Sequence, residues 1–222
     1  MAWTPPPLNC RGDDNRKTHL LKYEFLPISR ARIAEGVTVD GCCGELKDVQ
    51  VIFLVTEKSD SSHSWAISMG EHCAQELRAL MQATNAKHAN VPFPPLSNPF
   101  VSSLLAPGGG GGGGGGTTSG SSGQTVPKLN QELYDAVNLW FALKGQTPKY
   151  AMLKALTELQ KNPYVEIKHT YVYDFFKVIA SWKKSLADLV SSYNPTDPAR
   201  ALKAPSFPLL NALAAKNWID LP

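Results

Sequence analysis

The residues best suited to chemistry are cysteines, and two of them are adjacent, in Asp40-Gly41-Cys42-Cys43-Gly44. A second turn, Gly70-Glu71-His72-Cys73, carries another thiol beside an imidazole, and Cys10 stands near the start of the chain. A structural zinc site draws on these residue types, normally as four ligands delivered in pairs by two tight turns. A glycine after the second ligand of a turn lets the backbone wrap the ion. The candidate metal ligands are therefore Cys42, Cys43, His72 and Cys73, with Cys10 able to complete the set. Two other readings compete with metal binding. Small thiols pack readily in turns and at helix starts without any ligand. A redox pair is the weakest of the three, because a vicinal disulfide strains its peptide and the chain has no Cys-x-x-Cys.

Other catalytic arrangements are absent from the sequence. The five histidines, His19, His63, His72, His88 and His169, form neither His-x-x-x-His nor His-Glu-x-x-His. There is no Gly-x-Ser-x-Gly elbow and no dinucleotide fingerprint. A protein that is not an enzyme is the expectation, and the enzyme alternative pairs Cys73 with a histidine. The clearest binding candidates are Lys177, Trp182, Lys183 and Lys184, a basic and aromatic patch on one predicted helix. Such a patch suits phosphate contacts. It equally suits a solvated face with Trp182 in the core and Lys184 paired with Asp188, which is the favoured reading. The aromatic run "HTYVYDFF" (169–176) is read as core rather than as a base-stacking or partner-anchoring surface. The triplet "RGD" at 11–13 is read as chance.

These groups must be positioned by regular elements, and the apolar pattern predicts them. Val49–Glu57 is a β-branched run, "SDSSH" is turn material, and Ser64–Gly70 reads as the returning strand of a hairpin. A helix should start near Glu71, with Cys73, Leu77, Leu80 and Met81 at helical spacing. Upstream, "THLLKYEFLPI" suggests a further strand and "SRARIAEG" a short helix ended by Gly36. Downstream, Lys128–Lys144 should be helical with Leu133, Val137, Trp140 and Phe141 on one face and Gly145 as its stop. Further helices follow before Asn162, over 173–193 as the strongest of all, and around "PLLNALAAKNW". In 173–193, Phe175, Val178, Ile179, Trp182, Leu186 and Leu189 form one apolar stripe.

The turns and the hairpin between them resemble the small zinc-ribbon-like modules of many bacterial and phage proteins. Their pattern is Cys-x-x-Cys-Gly, a hairpin, then Gly-x-x-Cys leading a helix. The resemblance covers residues 39–81, with Cys43 matching the second knuckle cysteine and Cys73 the helix-leading one. It implies zinc as the cofactor. Asp40 stands where the first cysteine belongs, however, and that departure predicts a degenerate module with no cofactor, held by its apolar core.

The predicted class is α+β in two parts: an α+β module with a Pro-rich arm over 16–105, a glycine-rich flexible linker over 106–126, and a mostly helical module over 127–222. Nine consecutive glycines followed by Thr, Ser and Gly offer nothing to bury. They cannot be a P-loop, which needs a Lys-Ser or Lys-Thr end and a preceding strand. Net charge is −1 over residues 1–106 and +4 over 124–222, weak support for nucleic-acid binding. The start "MAWTPPPLNC" lacks a secretory pattern and no apolar run is of membrane-spanning length, so a cytoplasmic protein with reduced thiols is expected. Together these features predict a non-enzymatic binding protein of bacterial or mobile-element type, an inhibitor or adaptor for a macromolecular partner. A protein partner is favoured over nucleic acid, whose accessory protein is the alternative.

Overall fold

The computed structural model describes residues 3–100, 124–182, 185–193, 196, 201–202 and 206–216. Residues 106–123 of the expected linker lie outside them. The fold is α+β, with a sheet-bearing N-terminal part and a helical C-terminal part.

The N-terminal part opens with helix α1 (Asp13–Lys22), which leads directly into strand β1 (Tyr23–Arg32). A minor hairpin, β2 (Val39–Gly41) and β3 (Gly44–Leu46), precedes β4 (Val49–Glu57) and β5 (Ser64–Gly70). Helix α2 (Glu71–Ala83) follows without a break. The main sheet has the order β1-β4-β5, antiparallel throughout, so β4 is its centre. Ser29–Arg32 of the expected short helix are instead the end of β1, paired with Ile52 to Val49. The register of β1 shifts between Pro27 and Ser29, leaving Ile28 as the extra residue of a bulge, and Pro27 is tolerable on an edge strand because its outer side needs no complete ladder. Part of that edge is closed by the Pro-rich arm: Ser97 N–H donates to Arg30 O at 2.9 Å, and Arg32 N–H to Ser97 O at 3.1 Å.

Successive side chains of a strand point to opposite faces, and on β4 both sets are buried. Val51, Phe53 and Val55 face Leu77, Met81 and Leu20 of α2 and α1. Ile52 turns the other way, joining Leu26 and Ile28 of β1 in a cluster with the C-terminal helices. Each such apolar side chain, fully removed from water, contributes about 1.5–3 kcal/mol.

Those helices are α3 (Lys128–Lys144), α4 (Tyr150–Lys161), α5 (His169–Ser181), α6 (Leu186–Ser192) and α7 (Pro208–Lys216). Leu133, Val137, Trp140 and Phe141 of α3 lie in the cluster against the sheet, together with Leu156 and Leu159 of α4 and Phe175, Phe176 and Ile179 of α5. The two parts therefore share one core, and polar contacts cross the same boundary. Tyr134 OH accepts from Arg30 N–H at 3.0 Å and donates to Pro95 O at 2.8 Å. Buried Ser29 donates to buried Asn138 of α3, and Ala34 N–H donates to Ala142 O at 3.0 Å.

The expected single helix over 173–193 is two. Ser185 and Asp188 form a capping box in which each side chain accepts from the other's backbone N–H, at 2.7 and 3.0 Å. This supplies a new N-terminus at Leu186 and ends the stripe at Trp182, whose ring is exposed instead of in the core.

Two predictions follow from the shared core. Cleavage within residues 106–126 should leave two fragments that co-elute in gel filtration and separate only in denaturant. Gly145 caps α3 in the left-handed region at φ 62°, and a Cβ there would lie 2.5 Å from Thr38 O. Gly145→Ala should therefore destabilise by more than the roughly 1 kcal/mol that the backbone strain alone costs, seen as a lowered melting temperature.

Candidate functional site

The minor hairpin exists because glycine flanks both cysteines. Gly44 takes φ 121°, and a Cβ on Gly41 would fall 2.9 Å from Gly44 O. The turn thus closes tightly with Cys42 and Cys43 at its tip. It is pinned on two sides: Cys42 N–H donates to Ser68 O of β5 at 2.9 Å, and Cys10 N–H donates to Cys42 O at 3.1 Å. Cys73 stands in the first turn of α2, directly after the strand that receives the Cys42 bond. All four cysteines consequently belong to one packed cluster. Cys42 Sγ and Cys43 Sγ are 3.7 Å apart, and Cys73 packs against the same apolar cluster.

Arg16 of α1 reaches into this cluster. Its residue exposure is 3 %, and its guanidinium is held by Asp13 at 2.9 Å and by Glu76 of α2 at 2.5 Å. The Nε–H is buried and meets no hydrogen-bond partner among the described residues. Burial opposes the Arg16 charge, but Cys73 and Glu76 beside it outweigh that and raise its pKa.

The thiols divide accordingly. A hydrogen bond from Cys42, then the interaction with Cys73 and the Arg16 charge, bring Cys43 down to about 6 against the opposing effect of burial. Hydrogen bonding to Cys10 and Cys43, with burial, pushes Cys42 far upward, so it remains the donor. Burial, then the neighbouring Cys43, raises Cys73. Cys43 is thereby the most readily ionised of the three thiols, with a cation beside it.

The expected metal set is only partly gathered. Cys42, Cys43 and Cys73 come together, but His72 is turned to solvent, 85 % exposed, with Nε2 3.3 Å from Glu76 Oε1. Neighbouring residues on a helix point about 100° apart, so Cys73 and His72 do not face the same turn. Among the described residues no group of three His, Cys, Asp or Glu side chains is arranged to hold a metal ion. The Arg16 charge acts on Cys43 and Cys73 while its guanidinium is paired with Asp13 and Glu76. Its part could not be read from spacing, since α1 and the hairpin are joined only by tertiary contacts.

The expected basic patch is also redistributed. Trp182 ends α5, 45 % exposed, with its ring edge-on to Trp140 at 5.3 Å. Lys144 Nζ lies over both rings, 5.5 Å from Trp140 and 5.2 Å from Trp182. Lys177 pairs with Asp174 at 3.1 Å. Lys183 and Lys184 lie outside the described residues. The exposed feature that forms is thus Trp182, propped edge-on against the buried Trp140 with Lys144 over both rings. The spacing of Trp140 and Lys144, one turn apart on α3, was a readable signal for the cation–ring contact; the partnership with Trp182 was not.

An open groove of about 630 Å3 runs between α2 and the Pro-rich arm, lined by Arg30, Glu71, Arg78 and Phe93 among others. Arg30 pairs with Glu71, whereas Arg78 stacks over Phe93 at 5.1 Å with its buried Nε–H left without a hydrogen-bond partner among the described residues. No described helix is long and apolar enough to cross a membrane.

The lowered Cys43 value has a direct kinetic consequence. Only the thiolate attacks an alkylating agent, so Cys43 should react with iodoacetamide at a rate that falls with a midpoint near pH 6. An unperturbed cysteine loses its reactivity around pH 8.5. Stability carries the same sign: a depressed folded value favours the folded state above the unfolded pKa, and that contribution disappears as pH falls through about 6.

No curated protein and no solved structure matches this chain. A family model does, and its match over residues 8–218 runs through both parts of the fold and across the glycine run between them. The chain belongs to the family described as "Uncharacterised conserved protein UCP028583".

Proposed function

We propose that this chain is a non-enzymatic binding protein, an adaptor or inhibitor, that engages a protein partner through the exposed Trp182 and the adjoining Lys144, with buried Trp140 as their support. The supporting observation is the state of Trp182. Its ring is almost half exposed yet held in place by Trp140 from the side and Lys144 from above. Tryptophan is the residue type most enriched at interface hot spots. A ring already fixed in position loses little conformational entropy when a partner covers it.

Protein is favoured over nucleic acid by what the nearby cations do. Lys144 lies over two aromatic faces, and the Asp174 carboxylate beside Lys177 offsets its charge. A phosphate-binding surface would need several uncommitted cations, and its affinity would fall steeply with salt.

Capture by the full-length chain from the cell it comes from, with Trp182→Ala as the control, tests this reading. In about 1 M salt, where charges are screened beyond roughly 3 Å, the wild-type chain should retain a protein that the variant loses. Melting curves check that the variant, which truncates a side chain outside the core cluster, stays folded. Nuclease-sensitive capture that vanishes with salt, or equal retention by the variant, would refute the reading.

A further inference from the structure

The thiol cluster lies on different elements from the Trp182 face and is not used by it. Cys42, Cys43 and Cys73 are each partly exposed, whereas Cys10 is buried. A reagent from solvent can therefore reach three of the four thiols. Beside them sits Arg16, a buried guanidinium with an unsatisfied Nε–H among the described residues. A neutral thiol is a poor acceptor for that donor, and an anionic sulfur is a good one. Helix α2 adds to this, since its N-cap Gly70 provides no side-chain cap and Cys73 stands among the first-turn amides.

We propose that Cys43 and Cys73 form a thiol-oxidation site, which exchanges with the disulfide of a low-molecular-weight thiol and closes to a Cys43–Cys73 cross-link. Cys43 is the attacking sulfur because it sits partly exposed at the tip of the hairpin, with the Cys42 thiol 3.7 Å from its own. Cys73 is the resolving sulfur because it packs against the same cluster from the first turn of α2, beside the β5 residue Ser68 that pins the hairpin. Cys42 cannot take that part. Consecutive Cα atoms are about 3.8 Å apart across a trans peptide, short of the roughly 4.4–6.8 Å a disulfide spans.

The steps balance. The Cys43 thiolate attacks one sulfur of RS–SR; the Cys43–SR bond forms, the S–S bond breaks, and RS− leaves. Cys73 then gives up its proton and attacks Cys43 Sγ, forming the intramolecular disulfide and expelling a second RS−. Each RS− is protonated to RSH according to the medium. Two protein thiols are oxidised and one small disulfide is reduced, a two-electron exchange. The new bond ties the minor hairpin to the start of α2, and a small reducing thiol reverses it.

Oxidised glutathione, added at pH 7 to the intact chain, is the test, read by thiol counting and mass spectrometry after denaturing alkylation. The wild-type chain should lose two of its four thiols, retain no glutathione, and regain both on addition of dithiothreitol. Cys73→Ser should stop at a mixed disulfide on Cys43, and Cys42→Ser should still close the cross-link while Cys43→Ser does not. Melting curves establish that each variant is folded. A stable mixed disulfide in the wild-type chain, a cross-link to a different cysteine, or folded thiols reacting no faster than those of the urea-unfolded chain would each overturn the proposal.

Discussion

Strand β4 is buried on both of its faces, and most of the architecture answers to that fact. A three-stranded sheet whose central strand carries Val51, Ile52 and Phe53 at 0 % exposure needs an apolar cover on each side. Helices α1 and α2 supply one cover from within the same part of the chain. The other comes from α3, α4 and α5, beyond the glycine run. Neither part can therefore satisfy the sheet by itself. The connecting chain need only allow the helices to reach the sheet, and the cost of a longer connection rises only logarithmically with its length. Tyr134 and Asn138 of α3, bonded to β1 and the arm, set the position of the helical layer that apolar contact alone leaves free to slide.

The same packing creates the thiol cluster. Helix α1 leads into β1, and α2 leaves β5, so both helices lie on the face opposite the C-terminal layer. Arg16 is thereby enclosed between α1 and α2 with Asp13 and Glu76 as partners. Burying a guanidinium is costly unless it is paired, and here the carboxylates and the adjacent sulfurs share the task. The knuckle-like residue pattern thus lies beside a cation that the protein itself provides. Glu76 links Arg16 to His72, which keeps the imidazole on the outer side of the ion pair and away from the sulfurs.

Much of this was legible in the sequence where the signal was local. The hairpin Val49–Glu57 with Ser64–Gly70, the helix start at Glu71, and α3 with its Gly145 stop all follow from short-range periodicity and punctuation. Local rules also held the break before Ser185, because Ser-x-x-Asp is a capping signature; the continuous apolar stripe masked it. Other features were not local. An unbroken apolar run in β4 is consistent with two covered faces, yet it does not say that the second cover lies some seventy residues away, across the glycines. Gathering Cys10 and Arg16 with Cys43 and Cys73 depends on where α1 docks. The exposure of Trp182 depends on the helix break, and its contact with Lys144 on the packing of α5 near the end of α3.

That the two parts form one cooperative unit around β4 is the claim on which the rest stands, and native-state hydrogen exchange tests it most directly. Amides of Val51, Ile52 and Phe53 in β4 and of Val137, Trp140 and Phe141 in α3 should be the slowest to exchange. They should share one opening free energy and one dependence on denaturant, as members of a single unfolding unit do. If the α3 amides instead exchange through a separate opening of lower free energy while those of β4 stay protected, the sheet does not need its second cover and the account is wrong.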